Sequence, residues 1–417
     1  MTISHRRSEI LKLSKYSLVV AGVWRFSWTK SPSLQIFYRF YSVLIQIYYP
    51  ACLTSLATRF AISSVRETPS DISTFFRTFA MTITLTIVQI KVVLFQTRAV
   101  KQIIRQIMDE EKSILGSNDE EILQRYSAQV ALCRIWNLAI FWLIFGSGTG
   151  MILGNVLQRL QTKEESRESN RTIPKPYLYD FYYASFDVEE HSTILTLVNY
   201  AYMVVSGCMI STQVILVSCM MFASSMLKTL QVRFKKASCY DADILLTLKR
   251  LVMEHQHVIS WSCRFVKKLN NSTKHLMLLE YLLNSVNVAS VSIQFLVTKP
   301  GASLAFPACH FGLLLVQIFS LGWSADEIRM QVRHFASKFS RVSLNLSKSL
   351  GLADALYESS WFEQSENAKR LVLVMITRAQ RPLALTIGPL SAMTNQSALT
   401  IMKASYSYVT LMANSYG

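Results

Sequence analysis

The sequence predicts an all-α membrane protein with seven transmembrane helices, its N-terminus cytosolic and its C-terminus extracellular. Three observations lead there. First, 51% of the 417 residues are hydrophobic and only 17% are charged, against about 25% charged in a typical soluble domain. Second, the apolar residues gather in seven runs, at 36–58, 74–96, 132–157, 193–222, 275–297, 304–323 and 383–413. Each run can supply the ~20 helical residues that cross ~30 Å of hydrocarbon. Strand-like alternation is absent from them, so helices are the form that satisfies the backbone in lipid. Third, the net charge of +17 is unevenly spread.

That spread orients the bundle. With the N-terminus inside, the inner segments carry 29 Lys and Arg and the outer loops eight, with six in or beside the spans. Basic residues accumulate on the cytosolic side. The bias therefore excludes G-protein-coupled receptors, whose orientation is opposite. It also explains the positive charge without nucleic acid, since no basic, aromatic-interleaved segment stands out. The first residues have no cleavable signal and are expected to stay in the cytosol. The seven cysteines are odd in number and mostly sit in apolar runs, so no disulfide framework is implied.

Taken in order, residues 36–323 hold helices one to six, and a basic inner segment, 324–382, follows them. Residues 383–417 form a last helix. The outer segment 161–190 begins charged and ends rich in tyrosine, which suits an interfacial belt or a lid over a pocket. It also holds a glycosylation acceptor at Asn170. The inner stretches 223–274 and 324–380 read as amphipathic helices that continue the spans into the cytosol. No internal repeat appears, which argues against a secondary transporter.

Several motifs look chemical. The run 146-GSGTG-150 lies inside the third span without a preceding strand, so helix packing explains it better than phosphate binding. His255 and His257 are two residues apart, which points them to different sides of a helix. The fourth span has no Lys or Arg and cannot sense voltage as a basic helix would. Paired carboxylates, a nucleophile elbow and a Cys-x-x-Cys motif are all missing. No enzyme, cofactor or metal is expected.

The last helix differs from a lipid-facing one. Residues 395–413 carry Ser397, Thr400, Lys403, Ser405, Tyr406, Ser407, Tyr408 and Thr410. Hydroxyls in a span serve as helix–helix glue or line water. Lys403 faces a bundle interior or cavity, or snorkels to the inner interface. Ala404, Ser407, Leu411 and Ser415 share a face that is small and polar with one large apolar residue, as a dewetting constriction requires.

The C-terminal run, above all 377-TRAQRPLALTIGPL-390 and 399-LTIMKASYSYVTLM-412, resembles the insect odorant receptor family. The close match covers about the last 65 residues; elsewhere the likeness is in length, span count and topology. The resemblance implies a ligand-gated cation channel, a heterotetramer around a central pore assembled with odorant coreceptor subunits. No G protein is then required. It places the protein in the plasma membrane of olfactory sensory neuron dendrites. It implies a split seventh segment, with 354–380 in a cytosolic anchor domain and 393–414 lining the pore. It puts the hydrophobic gate at Leu411 and a second constriction at Ser415. The coreceptor has leucine at that second position, so this chain looks like a ligand-tuning subunit that relies on partners to seal the pore.

In such proteins the odorant sits in the outer half of the membrane, among the second, third, fourth and sixth helices. The positions implied here are Phe75, Phe79 and Ile83; Phe145, Thr149 and Ile152; Ile194, Val198 and Tyr202; and Phe306, His310 and Leu314. Together they suit a small uncharged volatile, such as an ester or terpenoid, with one polar atom. Rival readings are a gustatory-type homotetrameric channel, which needs no coreceptor, and a membrane transporter.

Overall fold

The computed structural model describes residues 9–24, 32–66, 72–117, 119–169, 177–179, 181–182, 191–237, 244–298, 301–349 and 385–416. Ten helices run through them: α1 (Lys12–Val20), α2 (Pro32–Arg66), α3 (Ile72–Gln96), α4 (Arg98–Leu115), α5 (Glu120–Ser169), α6 (Ser192–Ile210), α7 (Gln213–Ala237), α8 (Ile244–Val297), α9 (Ala305–Ser349) and α10 (Asn395–Tyr416). Among the described residues six segments are long and apolar enough to cross a membrane, formed by α2, α3, α5, α6 with α7, α8 and α9. α10, with its hydroxyls and Lys403, is the seventh helix of the bundle.

Two boundaries differ from the sequence expectation. The fourth span is interrupted at Ser211–Thr212, where the hydroxyls bond back to the carbonyls of Cys208 and Met209 at 2.6 and 2.7 Å. Such back-bonding competes with the helical ladder. The seventh apolar run, described from Leu385 onward, does not begin as a helix. It holds a two-stranded hairpin, β1 (Thr386–Ile387) against β2 (Ser391–Ala392), and the helix starts only at Asn395. Gly388 turns the hairpin with φ +57°, a left-handed value that glycine adopts without strain. Pro389 follows it and could not have continued a helix.

The cytosolic extensions form as expected where they are described. α8 is one helix of 54 residues, spanning the membrane and the inner segment alike. The proposed anchor helix at 354–380 lies outside the described residues, as does most of the inner segment 324–382 beyond α9.

Between α3 and α5, α4 shows how the inner side is assembled. Its apolar residues recur at Val100, Ile103, Ile104, Ile107 and Ile114, all buried, the spacing of a helix with one core-facing stripe. Thr97 caps its N-terminus by accepting the Val100 N–H. Buried Glu111 on the same stripe accepts the Ile10 N–H at 2.7 Å and the Tyr126 hydroxyl at 2.6 Å. The short α1 is thereby tied to α4 and α5. Its Ser14 meets Ser218 of α7 at 2.6 Å, and Asn137 of α5 donates to the same Ser218 at 2.9 Å. At its other end, Tyr38, Tyr41 and Ser42 of α2 donate to the carbonyls of Val19, Val20 and Gly22.

The core lies around α6, α7 and α8. The α6–α7 span is 78% buried, whereas the α2 span is 17% buried and faces outward along most of its length. Trp136 and Trp323 stack at 4.6 Å to lock α5 against α9. The glycine run of α5 packs there as expected. A β-carbon on Gly150 would come within 2.7 Å of Cys309 Sγ, and Ser147 donates to the Cys309 carbonyl at 2.7 Å. The five described cysteines are free thiols.

Candidate ligand cavity and pore helix

A cavity of about 410 Å³ lies between α1, α5, α6 and the start of α7, with Leu313 reaching in from α9. Its volume is that of a small-ligand site. Small residues make the space: Gly148, Gly207, Ser147 and Ser211 line it, and nothing lies within 4 Å of a β-carbon built on Gly207. Large apolar side chains form the walls, among them Phe141, Phe145, Ile152, Met203 and Val204. Phe141, Phe145 and Val204 are exposed, and in a bilayer such exposure means lipid. The cavity therefore opens sideways into the membrane. α1 closes one end with Leu13, Tyr16, Ser17 and Val20.

The twelve implied ligand positions fall into four places. Phe145, Thr149 and Ile152 line the cavity. Phe75 and Phe79 instead stack on Phe60 of α2 at 5.2 and 5.3 Å, with Ile83 half-buried one turn further along α3. Tyr202 is fully buried in an aromatic cluster with Tyr48, Tyr49, Tyr179 and Phe181. On the same helix Val198 is half-buried and Ile194 is exposed. Finally, His310, Phe306 and Leu314 of α9 are buried.

His310 is the polar centre of that last group. Its Nε2 lies 3.0 Å from Thr84 Oγ1, and Asn287 Nδ2 donates to the same hydroxyl at 2.5 Å. His310 Nδ1 and Asn287 Oδ1 are buried without a hydrogen-bond partner. Unsatisfied buried polar atoms are costly, and they point to water or a ligand atom as the missing partner. Arg77 lies 5.8 Å from the Phe306 ring centroid on the outer side of this group.

The described residues of the tyrosine-rich outer segment enter the bundle. Leu178, Tyr179 and Phe181 are buried, and the Tyr179 N–H donates to Asn199 Oδ1 at 2.7 Å. The Tyr179 hydroxyl reaches Met203 Sδ at 2.9 Å, so this lid touches a wall of the cavity. Burial pushes its phenol up to about 12. Asn170 lies outside the described residues.

α10 has two faces. Ala398, Ile401 and Ser405 are buried, as is Thr394 just before the helix, and Ser405 Oγ donates to the Ser285 carbonyl of α8 at 2.9 Å. The opposite face presents Lys403, Ser407 and Leu411, the last 69% exposed, with Ala404 half-buried beside them. Ser415 falls in the last turn of the helix.

The sequence reading passed over two features. α1 contributes four lining residues although its nine residues are too short for any hydropathy window to notice. Lys91 of α3 and Glu280 of α8 form a buried ion pair at 2.5 Å, and Lys91 also contacts Gln213 of α7. The signal was present: one cation and one anion, each in an otherwise uncharged stretch of a span, are expected to pair.

Comparison with known proteins fits this architecture. A family model described as "7tm Odorant receptor" matches residues 71–339 and 343–406. Odorant receptor 10 of Aedes albopictus is 26% identical over 205 residues, covering 48% of this chain and 49% of that one. Odorant receptor Or2 of Anopheles gambiae is 27% identical over 169 residues, covering 40% of this chain and 39% of that one. The matches thus span about half or less of these curated relatives. The olfactory receptor OR5 of Machilis hrabei in complex with eugenol superposes with a TM-score of 0.73 at 16% identity, over 99% of both chains. A second structure of OR5 from Machilis hrabei gives 0.67 at 14% identity, over 97% of both chains. With its helical order, its lateral cavity and a family match running through most of its length, the chain belongs to the 7tm odorant receptor family.

Proposed function

We propose that the chain is the odorant-tuning subunit of a ligand-gated cation channel. It assembles with coreceptor subunits as a heterotetramer in the plasma membrane of olfactory sensory neuron dendrites. The observation that carries this reading is the roughly 410 Å³ apolar cavity with its mouth on the lipid. A hydrophobic volatile partitions into the bilayer first and reaches such a mouth without crossing water. Ser17, Asn137, Ser147, Thr149 and Ser211 supply a few polar groups in a mostly apolar lining, which suits an uncharged ester or terpenoid with one polar atom.

The exposed stripe Lys403, Ser407, Leu411 on α10 is the pore face in this reading. Four copies of such a stripe around an axis place four apolar side chains in one ring, where water is excluded until the helices separate. Ligand opens the ring only to the extent that it binds the open state more tightly than the closed one. Eugenol, bound in the complex of the structural relative, is a first probe beside esters and terpenoids.

The test is whole-cell current during a volatile panel, with and without the coreceptor. Cation current evoked only on coexpression supports the tuning subunit. Current from this chain alone replaces it with the homomeric gustatory-type channel. Saturable uptake without conductance, at intact surface expression, replaces it with the transporter.

A further inference from the structure

We infer that the mouth of the cavity is a binding site for an anionic phospholipid, one acyl chain lying in the cavity and the phosphate resting on Lys12 and Arg134. The lipid site stands on the structure alone; only the statement that an odorant displaces the chain rests on the reading above.

Two cations flank the α1 end of the cavity. Lys12 precedes the lining residue Tyr16 by one helical turn and is exposed on the same face of α1. Arg134 precedes the lining residue Leu138 by one turn of α5 and is half-buried. It leads a lipid-facing stripe of Leu138, Phe141 and Phe145, all exposed. Neither cation has an ion-pair partner among the described residues. The neighbouring Glu9 is engaged by Lys15 at 3.1 Å, and Glu111 is occupied by Ile10 and Tyr126.

An unpaired arginine at this depth calls for an anion, and the positive-inside count puts it on the cytosolic side, the leaflet that carries acidic lipids. Above it the stripe and the cavity offer an apolar track with open volume. A diacyl phospholipid matches both halves at once, with headgroup charge on the cations and hydrocarbon against phenylalanine. A lipophilic ligand entering from the bilayer must displace that chain, so lipid composition sets the apparent affinity of the receptor.

The experiment uses the full chain purified in detergent and titrated with palmitoyl-oleoyl phosphatidylserine or phosphatidylcholine, the adducts counted by native mass spectrometry. The wild type is expected to prefer phosphatidylserine by roughly twenty-five-fold, since each of the two basic residues near an acidic headgroup contributes about fivefold. Lys12→Gln with Arg134→Gln removes the preference, and both lipids then bind alike. Gly207→Leu fills the cavity without touching the cations and weakens both lipids together, at unchanged elution and helicity. Equal binding of the two lipids by the wild type, or a preference that survives the charge variant, overturns the site. The measurement needs no odorant and no current. A lipid preference without odorant response leaves this site standing and sinks the receptor reading, and an odorant response without lipid preference does the reverse.

Discussion

Lys91 Nζ stands 2.5 Å from Glu280 Oε1, both side chains at most 2% exposed, and the pair joins α3 to α8 within the apolar bundle. Gln213, at the restart of α7, contacts Lys91 and lies 3.4 Å from Glu280 Oε1. Three helices and the break in the fourth span therefore meet at one charged contact.

Removing one partner leaves the other charge buried. Lys91→Met is expected to destabilise the protein by about 3–5 kcal/mol, and Lys91→Met with Glu280→Leu to recover most of it. Thermal unfolding in detergent measures both variants. A double variant as unstable as the single one would show that the pair is not the source of the loss.

Thr84 holds His310 and Asn287 together. Thr84→Val should cost about 1–3 kcal/mol, because it leaves two buried polar side chains without their shared partner. The same unfolding measurement decides it. Surface expression should fall with it, whatever the ligand.

Filling the cavity should block ligand. Gly207→Leu is expected to shift the odorant dose–response of the coexpressed channel at least tenfold to higher concentration at unchanged surface level, since about 1.4 kcal/mol of lost binding is tenfold. An unchanged dose–response would move the odorant site to the His310 region.

Leu411→Ala removes the large apolar side chain of the exposed α10 stripe. The expected outcome is a standing cation current in the absence of odorant, because a ring of smaller side chains wets more readily. The holding current at constant surface expression is the readout, and no change would take Leu411 out of the gate.

Glu111 gives the inner side a pH response. Burial is the main cause that raises its carboxyl above the ordinary value of 4.5, partly offset by the bonds from Tyr126 and Ile10. The folded state then holds a proton that the unfolded chain has already lost, so its contribution is present at low pH and declines as pH rises through the raised value. The unfolding temperature should therefore rise as pH falls from neutral toward 4.5. Glu111→Gln should flatten that slope, while its amide oxygen can still accept from Ile10 and Tyr126.

The spans and the family were legible because run length and the C-terminal motif are properties of contiguous residues. What escaped was of two kinds. At Leu385–Leu390 the hydropathy of the run outweighed Gly388-Pro389, a turn signal in plain view, and the helix was started too early. The other kind is pairing across the fold. Lys91 and Glu280 are 189 residues apart, and α1 becomes part of a cavity only once α5 and α6 stand beside it. Among the implied ligand positions, those on α5 reach the cavity. Phe75 and Phe79 on α3 and Tyr202 on α6 meet aromatic neighbours from α2 and the outer segment that a helix-by-helix reading does not supply.

The root of α10 is clamped. Asn270 Oδ1 of α8 accepts from the Thr386 N–H at 2.8 Å, the Gly388 N–H bonds the Lys274 carbonyl at 2.9 Å, and Leu278 fills the place a side chain on Gly388 would need. Ser405 fixes the helix to α8 once more, and beyond it Leu411 stands exposed. The helix is in effect a cantilever, built into its wall at its root. Deflection of a cantilever grows with distance from the support, so a small push past Ser405 moves the tip most and the root hardly at all. Substitutions should then sort by distance: those near Ala398 alter how much protein folds and reaches the surface, and those near Leu411 alter how readily it opens.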